Sequence, residues 1–213
     1  MPYWRRNPVV VVLAGGLIVL ISMGLRQSFG IFMQPLGCVL GIDRESFGLA
    51  IAIQNLVLGL PLAGYLADRF SARQVVFSGA LLYALAMSLM SQVTGPPGLL
   101  LVLGLLTGVA QSATTYVVVL GAVGRVVSPR RRAGAFGVVT GLGSFGLFLM
   151  VPLANHWLLQ GGWGWAFEAL AWTTLLMLFA ALFLPDRQGH GHCAGAQAVL
   201  HLGQILFQGG ELL

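Results

Sequence analysis

"GYLADRFSARQ", residues 64–74, sets Asp68, Arg69 and Arg73 between two long apolar runs in a chain that otherwise carries little charge. A charged turn between two such runs marks the end of one membrane-crossing helix and the start of the next, so the rest of the chain can be counted outward from it. Of the 213 residues, 57% are hydrophobic and 8% charged, against about a quarter charged in an ordinary soluble domain. This is the composition of an integral membrane protein. Thirty glycines fit that class, because small residues let helix backbones approach closely in lipid. A collagen-like or disordered chain is excluded by the absence of a Gly-X-Y period and by the high apolar content.

A helix needs roughly 20 apolar residues to cross about 30 Å of hydrocarbon. Six stretches meet that requirement: 9–33, 46–67, 74–93, 98–124, 133–157 and 163–184. The first follows Arg5 and Arg6 as a signal peptide would, but no small-x-small cleavage site follows and five more spans do, so it is read as a retained helix. The expectation is an all-α integral membrane bundle over 1–187, with 188–213 as a cytoplasmic tail.

With the N-terminus in the cytoplasm, the loops on that side hold Arg5, Arg6, Arg69, Arg73, Arg125, Arg130, Arg131, Arg132 and Arg187, and the outer loops hold only Arg44. This asymmetry places both termini in the cytoplasm. Short loops and the lack of an organelle signal point to a bacterial inner (plasma) membrane. Trp157, Trp163 and Trp165 form the outer aromatic belt. The net charge of +5 comes from eleven arginines without a lysine, and its placement speaks for topology and against nucleic acid. The "SPRRRAG" loop, 128–134, can touch anionic lipid headgroups, each Arg being worth about 1 kcal/mol there. Cys38 and Cys193 fall near opposite faces and are not expected to pair.

The chain also matches itself. Gly24-Leu-Arg-Gln-Ser28 and Gly108-Val-Ala-Gln-Ser112 stand 84 residues apart. Phe47-Gly48 and Pro61-Leu-Ala63 recur as Phe136-Gly137 and Pro152-Leu-Ala154. Spans one to three thus read as a copy of spans four to six, and an odd number of helices inverts the second copy in the membrane. A 3+3 inverted repeat is a transporter design, with the substrate site near the midplane. The offset grows from 89 at Phe47 to 91 at Pro61, and two residues at about 100° each require a bulge or a local rewinding.

With the turn placed at the cytoplasmic end of span two, Gly64, the Leu-Ala-Asp68-Arg69 core and Arg73 resemble the signature of the major facilitator superfamily. Ser71 stands where that family usually has Gly, and Gln74 where a second basic residue is common. "RQSFGIFMQPL", 26–36, with "GIDRESFGLAIAIQNL" after it, resembles the branch that holds oxalate:formate antiporters and monocarboxylate carriers. The resemblance covers 1 to about 187 and implies the first six-helix half of a twelve-helix fold. A truncated product or a fragment is the expectation for the chain as it stands, the tail resembling neither the family's central loop nor its seventh helix.

The resemblance implies that Asp68 latches the cytoplasmic helix ends, with Arg73 and Arg125 as partners; a plain loop carboxylate is the alternative. Arg26 is the one basic residue inside a span. A guanidinium fork matches a carboxylate, and Arg26 lies about ten residues, or roughly 15 Å, from the expected outer end of its helix. The other reading is snorkelling to the headgroups. Gln27 and Gln111, related by the repeat, are expected to line the cavity, or else to bond between helices, and Thr115 continues the same helix among Thr114 and Tyr116. Gln54, Asn55, Thr140 and Ser144 are weaker candidates, for which packing between helices is the first reading. Glu168 is read as interfacial, with proton coupling the alternative.

No Walker loop, metal set or nucleophile with a base is present. Neither an enzyme nor an ATP-driven motor is expected, and no cofactor or metal. The predicted function is secondary transport of a small organic anion, monocarboxylate-like, with proton coupling an option. The rivals are a non-transporting scaffold or remnant, and a homodimeric channel-like half-transporter.

Overall fold

A computed structural model describes residues 7–59 and 69–185. Every regular element among them is helical, as lipid demands of chains that must satisfy their backbone internally. Helix α1, Pro8–Leu40, opens on Asn7, whose side chain accepts from the Val9 amide, and on Pro8 at its first position. It stops at Gly41, whose φ of 63° is the left-handed conformation that ends helices. Helix α2 is described over Arg44–Gly59. Asp43, just before it, has its carboxyl held below the usual carboxylate range by the Ser46 side chain, which keeps negative charge at the helix start.

Helix α3, Ala72–Met90, begins with a reciprocal capping box: Ser71 Oγ accepts from the Gln74 amide, and Gln74 Oε1 accepts from the Ser71 amide, both at 3.3 Å. These are the two positions at which the loop departs from the family pattern. Together they satisfy two amides that the helix start would otherwise leave open. Ser71→Ala is expected to cost about 0.5–2 kcal/mol of stability, read as a lower thermal transition of the purified protein in detergent.

Helix α4, Pro96–Val126, is irregular. A first turn, Pro96–Leu99, passes into a π-helical stretch, Leu100–Leu106, then into α-helix Thr107–Ala113. Thr114 and Thr115 break the ladder, Thr115 being extended at φ −75°, ψ 170°, and the helix resumes over Tyr116–Val126. A 3-10 turn, Pro129–Arg131, leads into α5, Arg132–Ala181. Gly162 divides α5 into limbs 132–161 and 163–181 with φ 77° and ψ −177°, a conformation that only glycine adopts without strain.

Among the described residues, four helices are long and apolar enough to cross a membrane: Pro8–Leu40, Ala72–Met90, Pro96–Val126 and Pro129–Ala181. The expected spans 133–157 and 163–184 fall on the two limbs of the last. No bulge interrupts the described residues of 47–59 or 136–152, and Pro61 lies outside the described residues; the π-helical stretch of α4, Leu100–Leu106, falls in neither segment.

Glycines carry the closest helix contacts. Gly24 of α1 lies against Gly146 and Met150 of α5, and a Cβ on Gly146 would collide with the Leu20 carbonyl oxygen. Gly108 of α4 lies against Gln54 and Val57 of α2, and Gly104 against Ala50 and Ile53. Gly79 brings α3 onto Ala110 and Ala113 of α4. Phe32 of α1 stacks on Phe167 of the second α5 limb, ring centroids 4.3 Å apart.

Candidate functional site

These contacts bring polar residues of four helices together inside the bundle. Arg26 stands 18 residues after Pro8 and 14 before Leu40, so roughly 21 Å of helix separates it from the nearer end, too far for its side chain to reach. It is half-buried, and its Nη2 donates to Asn55 Oδ1 of α2. Asn55 is neutral, and no carboxylate pairs with Arg26 among the described residues. Of the described acids, Asp43 and Glu45 sit at the start of α2, and Glu168 accepts from Ser91 Oγ at 2.9 Å and Ser88 Oγ at 3.2 Å. Among the described residues a half-buried cation is thus left without a counter-ion, where charges are normally paired.

The residue before Asn55 makes the second bridge. Gln54 Nε2 donates to Gln111 Oε1 at 2.9 Å, with both side chains buried. Gln111 is left with its Nε2 unpartnered in the interior. The third bridge joins Ser22 Oγ of α1 to Thr114 Oγ1 at 3.0 Å, also buried. Ser22 precedes Arg26 by four residues and so shares its face of α1. Thr114 is where α4 breaks. Its hydroxyl lies 3.3 Å from the Ala110 carbonyl oxygen and 3.2 Å from that of Gln111, while Thr115 Oγ1 donates to the Ser112 carbonyl at 2.9 Å. The threonine hydroxyls thus serve the carbonyls around the break, where the Thr114 amide turns to the Gln111 carbonyl at 3.0 Å.

Tyr83 of α3 is the fourth contributor. It is fully buried and its hydroxyl has no hydrogen-bond partner among the described residues. It follows Gly79 by one turn, on the face that meets α4.

Of the residues expected to hold substrate, Arg26 and Gln111 are tied to neighbouring residues of α2. Gln27 is exposed and has no hydrogen-bond partner among the described residues, and Thr115 is half-buried and bonded to its own helix. Asn55 and Gln54, weaker candidates on sequence, make the two bridges. Ser22 and Tyr83 escaped sequence reasoning; the signals that could have found them are the four-residue spacings to Arg26 and from Gly79. On the cytoplasmic turn, Gly64 and Asp68 lie outside the described residues. Arg69 is exposed, Arg73 half-buried in the first turn of α3, and Arg125 exposed in the last turn of α4. Cys38 is a free, exposed thiol, and Cys193 lies outside the described residues. Among the described residues no group of three His, Cys, Asp or Glu side chains is placed to hold a metal.

The arrangement offers a half-buried cation beside a neutral amide, which suits a ligand that carries negative charge.

The profile of the Major Facilitator Superfamily matches residues 15–208. Monocarboxylate transporter 13 of Bos taurus is 32% identical over 178 residues, which is 82% of this chain and 39% of that protein. Monocarboxylate transporter 13 of Rattus norvegicus is 30% identical over 177 residues, with the same shares covered. The Putative metabolite transport protein YwtG of Bacillus subtilis (strain 168) is 24% identical over 175 residues, 81% of this chain and 37% of its own length. The chain spans about two fifths of the length of these relatives.

Proposed function

We propose that this chain, which belongs to the Major Facilitator Superfamily, forms one bundle of a secondary transporter for a small organic anion of the monocarboxylate kind. The observation that carries this reading is Arg26, a mid-helix cation whose one hydrogen-bond partner among the described residues is neutral. An entering carboxylate supplies the missing charge and competes with Asn55 for the guanidinium fork. The names of the relatives agree with that substrate class.

Six spans in a 3+3 inverted repeat accord with the helix contacts. Gly24 meets Gly146, and Gly108 meets Val57. An offset of 84 carries residue 24 to 108, and one of 89 carries 57 to 146, so one crossing maps onto the other. Gln27, Asn55, Thr140 and Ser144 are exposed on spanning helices, which is costly against lipid. A second bundle, supplied by further chain or by a second copy, covers that side and completes the cavity. Gly64, Asp68, Arg69, Arg73 and Arg125 form the inner latch, and the bundle rocks about the midplane site. Both ends lie in the cytoplasm at the inner (plasma) membrane, with proton coupling or exchange supplying the driving force.

Uptake of labelled monocarboxylates into proteoliposomes tests this. Saturable uptake by the native chain is expected, reduced about 10- to 100-fold in Arg26→Ala, the loss of a charged hydrogen-bond pair. No substrate-dependent flux from the native chain sinks the transport reading, and flux that never saturates replaces it with a channel.

A further inference from the structure

The end of α3 and the second limb of α5 share a polar cluster that the site around Arg26 does not use. Glu168 Oε1 lies 2.9 Å from Ser91 Oγ and 3.2 Å from Ser88 Oγ, and Ser91 Oγ lies 2.6 Å from the Ser88 carbonyl oxygen. A Cβ on Gly164, one turn before Glu168, would stand 3.9 Å from the Ser91 carbonyl oxygen, so this face of α5 runs along the end of α3. All three side chains are half-buried, which leaves the cluster open to a small ion. Its hydrogens fall short. Three oxygen-to-oxygen contacts need three hydrogens, and two serines with an ionised Glu168 bring two. If Ser91 donates to the Ser88 carbonyl, the shorter of its contacts, its oxygen faces Glu168 lone pair to lone pair. If it donates to Glu168, the contact at 2.6 Å is left bare. The charge is short as well. Glu168 stands at the C-terminal end of α3, where the helix dipole favours cations, and no basic residue occupies the last turn of that helix. Among the described residues no cation pairs with Glu168. Arg73 lies in the first turn of α3, roughly 22 Å of helix before Ser88. On α1, which meets this limb where Phe32 stacks on Phe167, Arg26 is committed to Asn55.

We propose that Glu168, Ser88 and Ser91 bind a small monovalent cation of the sodium kind between the end of α3 and the second limb of α5. The carboxylate oxygen, the two hydroxyl oxygens and the Ser88 carbonyl oxygen are the hard ligands that such an ion takes. The ion supplies the missing positive charge, and both hydroxyls turn lone pairs to it in place of the hydrogen that the cluster lacks. One carboxylate balances one unit of charge, which favours a monovalent ion over calcium, whose sites draw on several carboxylates. The oxygens stand 2.6–3.2 Å apart, a spacing that the larger potassium ion would have to spread further than sodium. Because its ligands come from both elements, the bound ion ties α3 to α5. The inference goes beyond the anion site at Arg26 and does not depend on it.

The test is the thermal transition of the full chain in lipid nanodiscs at neutral pH, with sodium chloride or potassium chloride replacing choline chloride at constant ionic strength. The native protein, Glu168→Gln and Ser91→Ala are compared. Sodium is expected to raise the native transition saturably by about 3 °C or more, as a ligand of the folded state alone does, and potassium to raise it less. Glu168→Gln removes the charge and brings the missing hydrogen on its amide. Its transition in choline is expected to match or exceed the native one, with no response to sodium. Ser91→Ala removes one ligand and is expected to raise the half-saturating sodium concentration at least about 10-fold. A native chain that responds to sodium no more than to potassium overturns the site. A sodium response undiminished in Glu168→Gln, or unshifted in Ser91→Ala, also overturns it and places the ion elsewhere. No sodium response, with a rise on acidification in choline instead, assigns the missing charge to a proton and overturns the cation site. Should Glu168→Gln fail to give a monodisperse protein, Ser91→Ala decides.

Discussion

Gly146→Ala is expected to destabilise the folded bundle strongly, although alanine is the better helix former by about 1 kcal/mol. The added methyl has nowhere to go. It would collide with the Leu20 carbonyl oxygen and press on the Leu20 backbone, and backbone cannot turn aside as a flexible side chain can. Relief requires α1 and α5 to separate along their contact, which also parts Gly24 from Met150. Overpacking in a core commonly costs about 1–3 kcal/mol and more where the backbone must move, against a total stability of about 5–15 kcal/mol for a folded domain. Gly141→Ala is the control: nothing lies within 4 Å of a Cβ there, and it should match or exceed the native protein. Size-exclusion profiles and thermal transitions in detergent read both. A monodisperse Gly146→Ala protein with native stability would mean that α1 and α5 do not meet at this glycine.

The contrast between Gly146 and Gly141 shows where sequence reading stops. Both are glycines in one apolar helix five residues apart, and composition treats them alike. Which faces a neighbour depends on how α5 is turned, and that is set by the bundle as a whole. The helical class was legible, because long apolar runs bounded by charge are a local signal. The bend at Gly162 was legible as a boundary between spans, since Gly161-Gly162 lies between two apolar stretches. The break at Thr114 was not, because threonine is an unremarkable helix residue whose hydroxyl can serve a broken ladder as well as an intact one.

The site was legible to the same degree. Arg26 stood out because charge inside a span is expensive, and Gln111 because it repeats Gln27. Asn55 and Gln54 were visible as polar residues but not as the partners of Arg26 and Gln111, since that pairing depends on Gly108 letting α2 close on α4. Tyr83 left no trace: a phenol in an apolar span reads as filler until its hydroxyl is found buried and unpaired.

Arg26→Met is expected to separate stability from function. It removes a cation that costs about 2.5–3.5 kcal/mol at the centre of a membrane helix on insertion scales, and puts in its place a flexible apolar chain that fills the space. Asn55 loses a donor, but its side chain is exposed and its oxygen can turn to other partners. The net change is expected to favour the folded protein, raising the thermal transition by a few degrees at about 2–4 °C per kcal/mol for a chain of this size. Anion uptake should fall to background in the same variant. Arg26→Lys keeps the charge without the planar fork and should fall between the two, with partial uptake and no gain in stability. The pattern to look for is opposite movement of the two readouts. If Arg26→Met lowers stability along with uptake, the guanidinium serves the fold through Asn55, and the case for a carboxylate at that position loses its ground. If stability rises and uptake disappears, Arg26 is held in the membrane interior at the expense of the fold, and a charge kept at such a cost is kept for the ligand that neutralises it.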